Sequence, residues 1–403
     1  MRVGTSGFVG QRLREAREAR GLSGVDLADM LGVTPQLIYA YQSGDATPSP
    51  QVMEIITERL GFPTAFFMRA PLADDNAGIF WRANNSATRI AQRRAEARLI
   101  WLKELMSYLR DYFDFPEANI PSLPLPKNFR SLTSEHIEVA ANSCRSYWGL
   151  SGGPLPDVIG ILESNGIIVA QIKVDAEDLD AFSQWSSLDN TPYVVLSCDK
   201  PSAVRSRFDA AHELGHLILH RHIDRKRLND SKDWKLLEDQ AHRFASAFLL
   251  PAPTFSKEIW APSLDTFISL KQRWKVSAAA MIMRCRYLGV ISEEQEKRLW
   301  INRNRRGWPK VEPLDDKIER ETPNLIPRAI EMLVDENVRR RDQIVSDLSI
   351  PPTDLEEIGG VPFGYFRTQT APVVPIPKAS TFVRSNADDE GNVVNLFDRA
   401  KES

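Results

Sequence analysis

The chain has 403 residues, and its 51 basic and 54 acidic side chains give a formal net charge of −3, which argues against a general electrostatic grip on nucleic acid. Its 42% hydrophobic content suits two or three globular domains, and no apolar run approaches the roughly 20 residues that cross a bilayer, so no membrane partner is expected. Three scattered cysteines without disulfide or zinc-knuckle spacing, and a start without a signal-peptide core, predict a reducing, cytoplasmic location.

The first 70 residues have the pattern of short helices separated by glycines. We expect a charged helix over 9–20 that ends at Gly21, and a second helix over 26–33. Thr34 is expected to N-cap a third helix, whose first turn accepts Pro35. Two short helices joined by a glycine-containing turn are typical of a helix-turn-helix, in which the second helix enters the major groove of DNA.

Further residues strengthen this prediction. They are the run from Leu13 to Gly21, Leu27-Ala28 with Gly32-Val33, the run from Ile38 to Gly44, and the later Pro48 and Leu60-Gly61. In these positions the segment resembles the XRE (Cro/repressor-like) family. The resemblance implies an XRE-type DNA-binding domain over residues 1–70, with Thr34, Gln36, Tyr39 and Gln42 facing an operator.

Charge leaves an alternative open for this domain. Residues 1–70 hold seven arginines and no lysine against seven acids, a balance of zero. Specific DNA binding draws much of its affinity from neutralised phosphates. A helical domain kept for protein contacts or for a homodimer, without DNA binding, therefore remains the second interpretation.

The middle of the chain is predicted to lead from helix to sheet. Residues 71–126 are expected to form a helical connector with a Pro-rich end. Helical patterns then precede three strand-like runs, which cover residues 166–172, 181–185 and 192–196. A small sheet that leads into a metal-binding helix is typical of a metallopeptidase, and we expect an exposed edge strand beside the metal that can pair with an extended substrate peptide.

The pentapeptide His212-Glu213-Leu214-Gly215-His216 carries the strongest chemical signal. Its histidines stand at i and i+4, so both imidazoles project from one helix face and can grip a single divalent ion. Glu213 lies one step round the helix, where a carboxylate can act as a base on water. Since H-E-x-x-H arises by chance in roughly 1% of chains this long, a second signal is needed.

That second signal lies 22 residues after His216. A helical pattern over 237–250 places Glu238 on an inward stripe, in line with Ala241 and Ala245. A buried carboxylate needs a cation beside it, so Glu238 is the predicted third ligand of the ion held by His212 and His216. Two histidines and a glutamate with one position open are the catalytic pattern of zinc, and one Zn²⁺ per chain is expected.

Alternatives remain for these residues. The two histidines could be ordinary helix-surface residues, and Glu238 could face solvent near a helix N-terminus, where acids are favoured. His220 shares a face with both predicted ligands. Because a fourth protein ligand would close the site, we expect His220 to end the helix or to support a ligand from behind.

Residues 140–290 resemble the ImmA/IrrE family of zinc metallopeptidases. The similarity rests on Arg205-Ser206-Arg207-Phe208, on the run Ala211 to Leu217, on Trp274 to Ser277, and on Glu238, Ala241, Phe244, Ala245, Phe248, Leu249 and Pro251. It implies that His212, His216 and Glu238 bind metal and that Glu213 is the base. His242 stands where the family usually has Asn or Asp, at i+4 from Glu238, a position suited to orienting a ligand histidine.

The expected fold is α+β: an N-terminal all-α helix-turn-helix domain, then a mainly helical zincin-like metallopeptidase domain with a small three-stranded sheet over residues 127–300. A C-terminal helical region over 301–367 and a mobile tail over 368–403 would follow. The predicted protein is a DNA-binding transcriptional regulator whose zinc endopeptidase cuts a protein partner, such as a repressor or a toxin-system partner. The alternative is a non-catalytic repressor or antitoxin-like module that uses the metallopeptidase fold as a sensor or partner platform.

Overall fold

The computed structural model describes residues 4–73, 75, 77–81, 86–174, 179–199, 202–223 and 230–367, and the predicted tail 368–403 lies outside them. The helices are α1 Gly10–Ala19, α2 Gly24–Leu31, α3 Pro35–Ser43, α4 Pro50–Leu60, α5 Ser86–Arg110, α6 Ser134–Tyr147, α7 Val158–Ser164, α8 Ala203–Leu219, α9 Ser231–Leu249, α10 Ala252–Glu258, α11 Leu264–Trp274, α12 Ala278–Tyr287, α13 Glu293–Arg305, α14 Leu325–Asp335, α15 Arg341–Leu348 and α16 Pro352–Gly359. The strands are β1 Ile79–Trp81, β2 Ile168–Ile172, β3 Ala181–Trp185 and β4 Pro192–Ser197. The α+β class is confirmed, and none of the described helices has the length and apolar composition of a membrane span.

The sheet has four strands in the order β1-β3-β4-β2, where three were expected. β3 is antiparallel to β1 and to β4, whereas β2 runs parallel to β4. The additional strand, β1, comes from the segment predicted to be a helical connector. It is three residues long, too short for an alternating pattern to show, and it forms because β3 offers it a free edge.

Alternate residues of the strands face two separate hydrophobic cores. Phe182, Tyr193 and Val195 face a core that also contains the buried side chains of the helix-turn-helix, of α5 and of α14 to α16. Val169 and Val194 point to the other side, into a core built by α6 to α13. The sheet is therefore covered by helices on both faces, and the N-terminal helices share a core with the C-terminal ones.

Buried ion pairs fix the first helix to distant parts of the chain. Arg12 lies between Glu15 and Glu104 of α5, with nitrogen–oxygen distances of 2.7 and 2.6 Å, and all three side chains are buried. Burial raises the pKa of Glu15, and the Arg12 charge opposes that shift. Arg20 donates two hydrogen bonds of 2.8 Å to the Asp354 carboxylate of α16.

Replacing Arg12 by Met should lower the free energy of unfolding by about 3–5 kcal/mol, because two buried carboxylates lose their cation. Arg14→Met on the same helix is the matched control. Arg14 is exposed and pairs only with Glu18, so its loss should cost less than about 1 kcal/mol. Denaturant titration of the full chain measures both, and equal effects would contradict the assignment.

Candidate functional site

The two helices that carry the predicted ligands touch at Gly215. A Cβ at this position would lie 3.2 Å from the Cβ of Phe244 and 3.3 Å from the Cα of Ala241, both on α9. Glycine lets α9 pass this close to α8, within the H-E-x-x-H turn itself. The approach brings Glu238 of α9 to the histidines of α8.

Three side chains converge between these helices. The Nε2 atoms of His212 and His216 lie 3.1 Å apart, and the Glu238 carboxylate oxygens lie 3.4 Å from the first and 3.2 Å from the second. A tetrahedral zinc site with bonds of 2.0–2.1 Å has ligand atoms about 3.3 Å apart. The two imidazoles and the carboxylate thus fit a zinc ion in the nature and the spacing of their donor atoms.

A chain of hydrogen bonds determines where His216 carries its proton. The Gln240 amide nitrogen donates to the Phe129 carbonyl at 2.8 Å, so its oxygen faces His220 Nε2, at 2.9 Å, and can only accept. Burial lowers the pKa of His220 to about 3, which keeps this ring neutral. The His220 ring therefore carries its proton on Nε2. Its unprotonated Nδ1 accepts a hydrogen bond from Nδ1 of His216 at 2.9 Å.

Because Nδ1 of His216 donates to His220, Nε2 is the nitrogen of His216 that can offer a lone pair. That lone pair faces the Glu238 carboxylate at 3.2 Å in a buried environment. Burial raises the pKa of Glu238, and a positive charge beside the carboxylate, such as that of a protonated imidazole, lowers this pKa well below its usual range. Two electron-rich atoms this close repel each other unless they share a cation, which is the role of a bound metal.

His212 is also held in its metal-binding form. Burial lowers its pKa well below the usual value, although Glu238 acts in the opposite direction, and a neutral imidazole is the form that binds a metal. Its Nδ1 is buried without a hydrogen-bond partner among the described residues. The two histidines therefore differ: His216 is oriented from behind by His220, and His212 is held by packing.

The predicted base, Glu213, accepts a hydrogen bond from a serine that the sequence did not single out. Ser183 of β3 is buried and donates from Oγ to the Oε2 atom of Glu213 at 2.6 Å. Glu213 is buried as well. The hydroxyl fixes one carboxylate oxygen and orients the other. Only the fold could reveal this contact, since the two residues belong to different elements.

His242 lies at the rim of the site. Its ring centroid is 4.6 Å from that of His212, at an interplanar angle of 67°. His212, Glu238 and His242 also have ligand atoms within 4.8 Å of one another, so they form a second, overlapping trio. The 3.1–3.4 Å spacings among His212, His216 and Glu238 match a zinc tetrahedron more closely than the spacings of this second trio.

The edge strand beside the histidines is β1, which was not among the predicted strands. β1 pairs with β3 along the edge beside the histidines. The Phe80 ring of β1 stacks on the His216 ring, with centroids 4.9 Å apart and planes 16° apart. Free strand edges are ready to pair, and here a segment of the same chain does so.

Thr34, Gln36 and Tyr39 are exposed in the helix-turn-helix, and Gln42 is half-buried. The Thr34 hydroxyl accepts from the Leu37 amide at 3.3 Å, so it caps α3 as expected. Between Arg20 and Arg59 the sequence contains five acids and no lysine or arginine. The predicted recognition face thus has no cation of its own.

Two segments of the chain match known families. Residues 162–286 match the IrrE N-terminal-like domain, a peptidase M78 family, and residues 13–67 match a helix-turn-helix family. The first match contains the three predicted ligands, the predicted base and His242. No curated protein matches the chain. Both resemblances seen in the sequence, and their order along the chain, are confirmed.

Gln240→Leu should weaken zinc binding by about 10–100-fold, since the proton position on His220 and His216 is no longer imposed. The exposed Asp239→Leu on the same helix is the matched control and should leave zinc affinity unchanged. Competition with a chromogenic chelator measures both affinities. Equal affinity in the Gln240 variant and the wild type would show that the chain of hydrogen bonds does not orient His216.

Proposed function

We propose that this chain, in which a helix-turn-helix domain precedes an IrrE N-terminal-like domain, is a regulator whose zinc-dependent endopeptidase hydrolyses a peptide bond in a protein partner. The observation that carries the proposal is the convergence of two imidazole nitrogens and an ionised carboxylate within 3.1–3.4 Å, beside a carboxylate already oriented as a base. The three cysteines are free thiols, which suits a cytoplasmic protein. The natural class of partner is a repressor or a protein of a toxin system.

Each residue of the site has a distinct role in this reaction. His212, His216 and Glu238 would hold a zinc ion, which would supply Lewis acidity for the peptide carbonyl and for water. Glu213, anchored through Oε2, would take a proton on Oε1 from the water whose oxygen attacks the carbonyl carbon, and would give that proton to the amine nitrogen as the C–N bond breaks. Ser183 acts through Glu213 by holding its carboxylate in place.

The carbonyl oxygen of the substrate needs a hydrogen-bond donor as charge develops on it. Both nitrogens of His220 are engaged, by His216 and Gln240, so His220 cannot serve. His242 is half-buried at the rim and packs edge-on against His212. We assign the donor role to His242.

Glu213→Gln should retain stoichiometric zinc and lose at least about 100-fold in cleavage, because the amide cannot accept the water proton. Glu135→Gln, an exposed change outside the site, is the control. Zinc is measured by mass spectrometry of the purified protein, and cleavage by new protein N-termini in extracts of the source cells. Undiminished cleavage by the Glu213 variant would end the endopeptidase proposal.

The alternative is a non-catalytic, antitoxin-like module that uses the same fold as a sensor. It predicts zinc binding without any new N-termini in the presence of the wild-type protein. Under that outcome, metal removal would change the binding of the partner and nothing else.

For the helix-turn-helix we propose operator binding through Thr34, Gln36, Tyr39 and Gln42. The arginines of α1 and its C-terminal end contribute little to such binding, because each has a carboxylate partner within the protein. These residues are Arg12, Arg14, Arg17 and Arg20. Exposed Val25, Met30 and Tyr39 on α2 and α3 instead favour a second candidate, a protein or homodimer contact on the same face.

The double variant Gln36→Ala/Tyr39→Ala should abolish enrichment of specific DNA from a random pool without changing the fold. Binding by the wild type should have a salt slope shallower than about −4, because few cations are available to neutralise phosphates. Sedimentation analysis of the same variant is the complementary measurement. A dimer lost in the variant, with no DNA enriched by the wild type, would replace operator binding by the protein contact.

A further inference from the structure

We propose that β1 occupies the peptide-binding edge of the site, so that Ile79–Trp81 keeps the endopeptidase latent until an extended, aromatic-rich substrate segment or a partner displaces it. This inference rests on the proposed function and concerns the same site. It identifies the edge of β3 beside the histidines as the binding surface for substrate, and it identifies β1 as the segment that occupies this edge.

Backbone pairing places β1 where a substrate strand would lie. Ile79, Phe80 and Trp81 pair antiparallel with Gln184, Ser183 and Phe182. Ser183, opposite Phe80, is the residue whose hydroxyl holds the Glu213 carboxylate. The strand thus runs past the base, and an extended peptide added to a sheet edge uses the same main-chain hydrogen bonds.

Side chains of β1 complete the cover. Phe80 is buried on the His216 ring, and the Trp81 ring packs against Phe182, with centroids 4.6 Å apart. His212 and Glu213 are also almost fully buried, so the site is closed in this conformation. A ring, and not a peptide carbonyl, faces His216, which is the arrangement of a blocker and not of a substrate about to be cut.

Polar contacts hold both ends of the segment. Asp75 pairs with buried Lys103 of α5 at 2.6 Å, and Gln184 joins Lys103, at 2.5 Å, to the Ala77 carbonyl, at 2.9 Å. At the other end, the Trp81 carbonyl accepts from the Trp234 indole at 2.8 Å. Trp234 stands one turn before Glu238 on α9, so the closing contact is made with a helix that carries a ligand.

The nature of β1 defines the class of segment that can replace it. The competitor must be extended and must offer backbone groups to β3. It must also place two successive large apolar side chains on opposite faces of the sheet, one against His216 and the next against Phe182. Because β1 is tethered, its effective concentration at the edge is on the order of millimolar. A substrate therefore has to bind with several side chains, or a partner has to pull the segment away.

Two variants of the full chain, made in the Glu213→Gln background, test the proposal without relying on cleavage. Phe80→Ser removes the ring that lies on His216. Asp75→Asn weakens the ion pair with Lys103 that holds the start of the segment, and it leaves the residues of the site unchanged. Phe363→Ser, which removes an exposed aromatic ring elsewhere, is the control. The probe is a fluorescent heptapeptide with the sequence of residues 77–83, and amide hydrogen exchange in β3 reports on the edge.

We expect both variants to bind the peptide and to exchange their β3 amide hydrogens at least about tenfold faster than the protein with an unaltered β1 segment. The protein with the unaltered segment and the Phe363 control should not bind the peptide, and their β3 amides should stay protected. Retained zinc and an unchanged circular dichroism spectrum show that the variants are folded. Unchanged protection of β3 with no peptide binding would overturn the proposal.

The same substitutions with Glu213 intact complete the test. Faster appearance of new N-termini in the partner supports latency, whereas cleavage of the chain itself between residues 79 and 85 overturns it, since β1 would then be a substrate. If no variant cleaves any protein but the peptide still binds to the opened edge, the endopeptidase proposal fails and the assigned binding surface stands.

Discussion

At Gly215 of α8, the side chain of Phe244 on α9 lies 3.2 Å from the position that a Cβ would take. The arrangement of the site depends on this close approach of the two helices. A side chain at this position would press against Phe244 and Ala241 of α9, the helix that carries Glu238. The same approach buries the three side chains, which lowers the pKa of His212 and makes the buried Glu238 carboxylate costly without a cation beside it. The close helix contact therefore contributes both to packing and to the arrangement of the site.

Much of the fold and of the site could be predicted from the sequence, because periodicity and local spacing encode it. His212 and His216 share a face by helical geometry, and the inward stripe of α9 pointed to Glu238. Ser183, Gln240 and Phe80 could not be found in this way, because each acts across elements and has no local signature. β1 was missed for the same reason: its three residues gain their structure from β3 and not from their own pattern.

The roles of the histidines show where sequence reasoning stops. Helical spacing placed His220 on the ligand face, yet only the Gln240 amide and the Phe129 carbonyl reveal the direction in which its proton points. Helical spacing also placed His242 near the predicted metal ligands. Only the distances in the structure distinguish it from His212, His216 and Glu238, whose donor atoms lie closer together. Proton positions and distances depend on the packed core, which periodicity alone does not specify.

The shared core of the N-terminal and C-terminal helices has a consequence for genetic dissection. Arg12 and Arg20 tie the first helix to α5 and α16, and the same hydrophobic cluster runs through all of them. A deletion of the first 70 residues would expose this cluster to water and leave charged partners stranded. Truncated genes would then report on aggregation and degradation in the cell, so the separate tasks of this protein are better assigned with point substitutions in the intact chain.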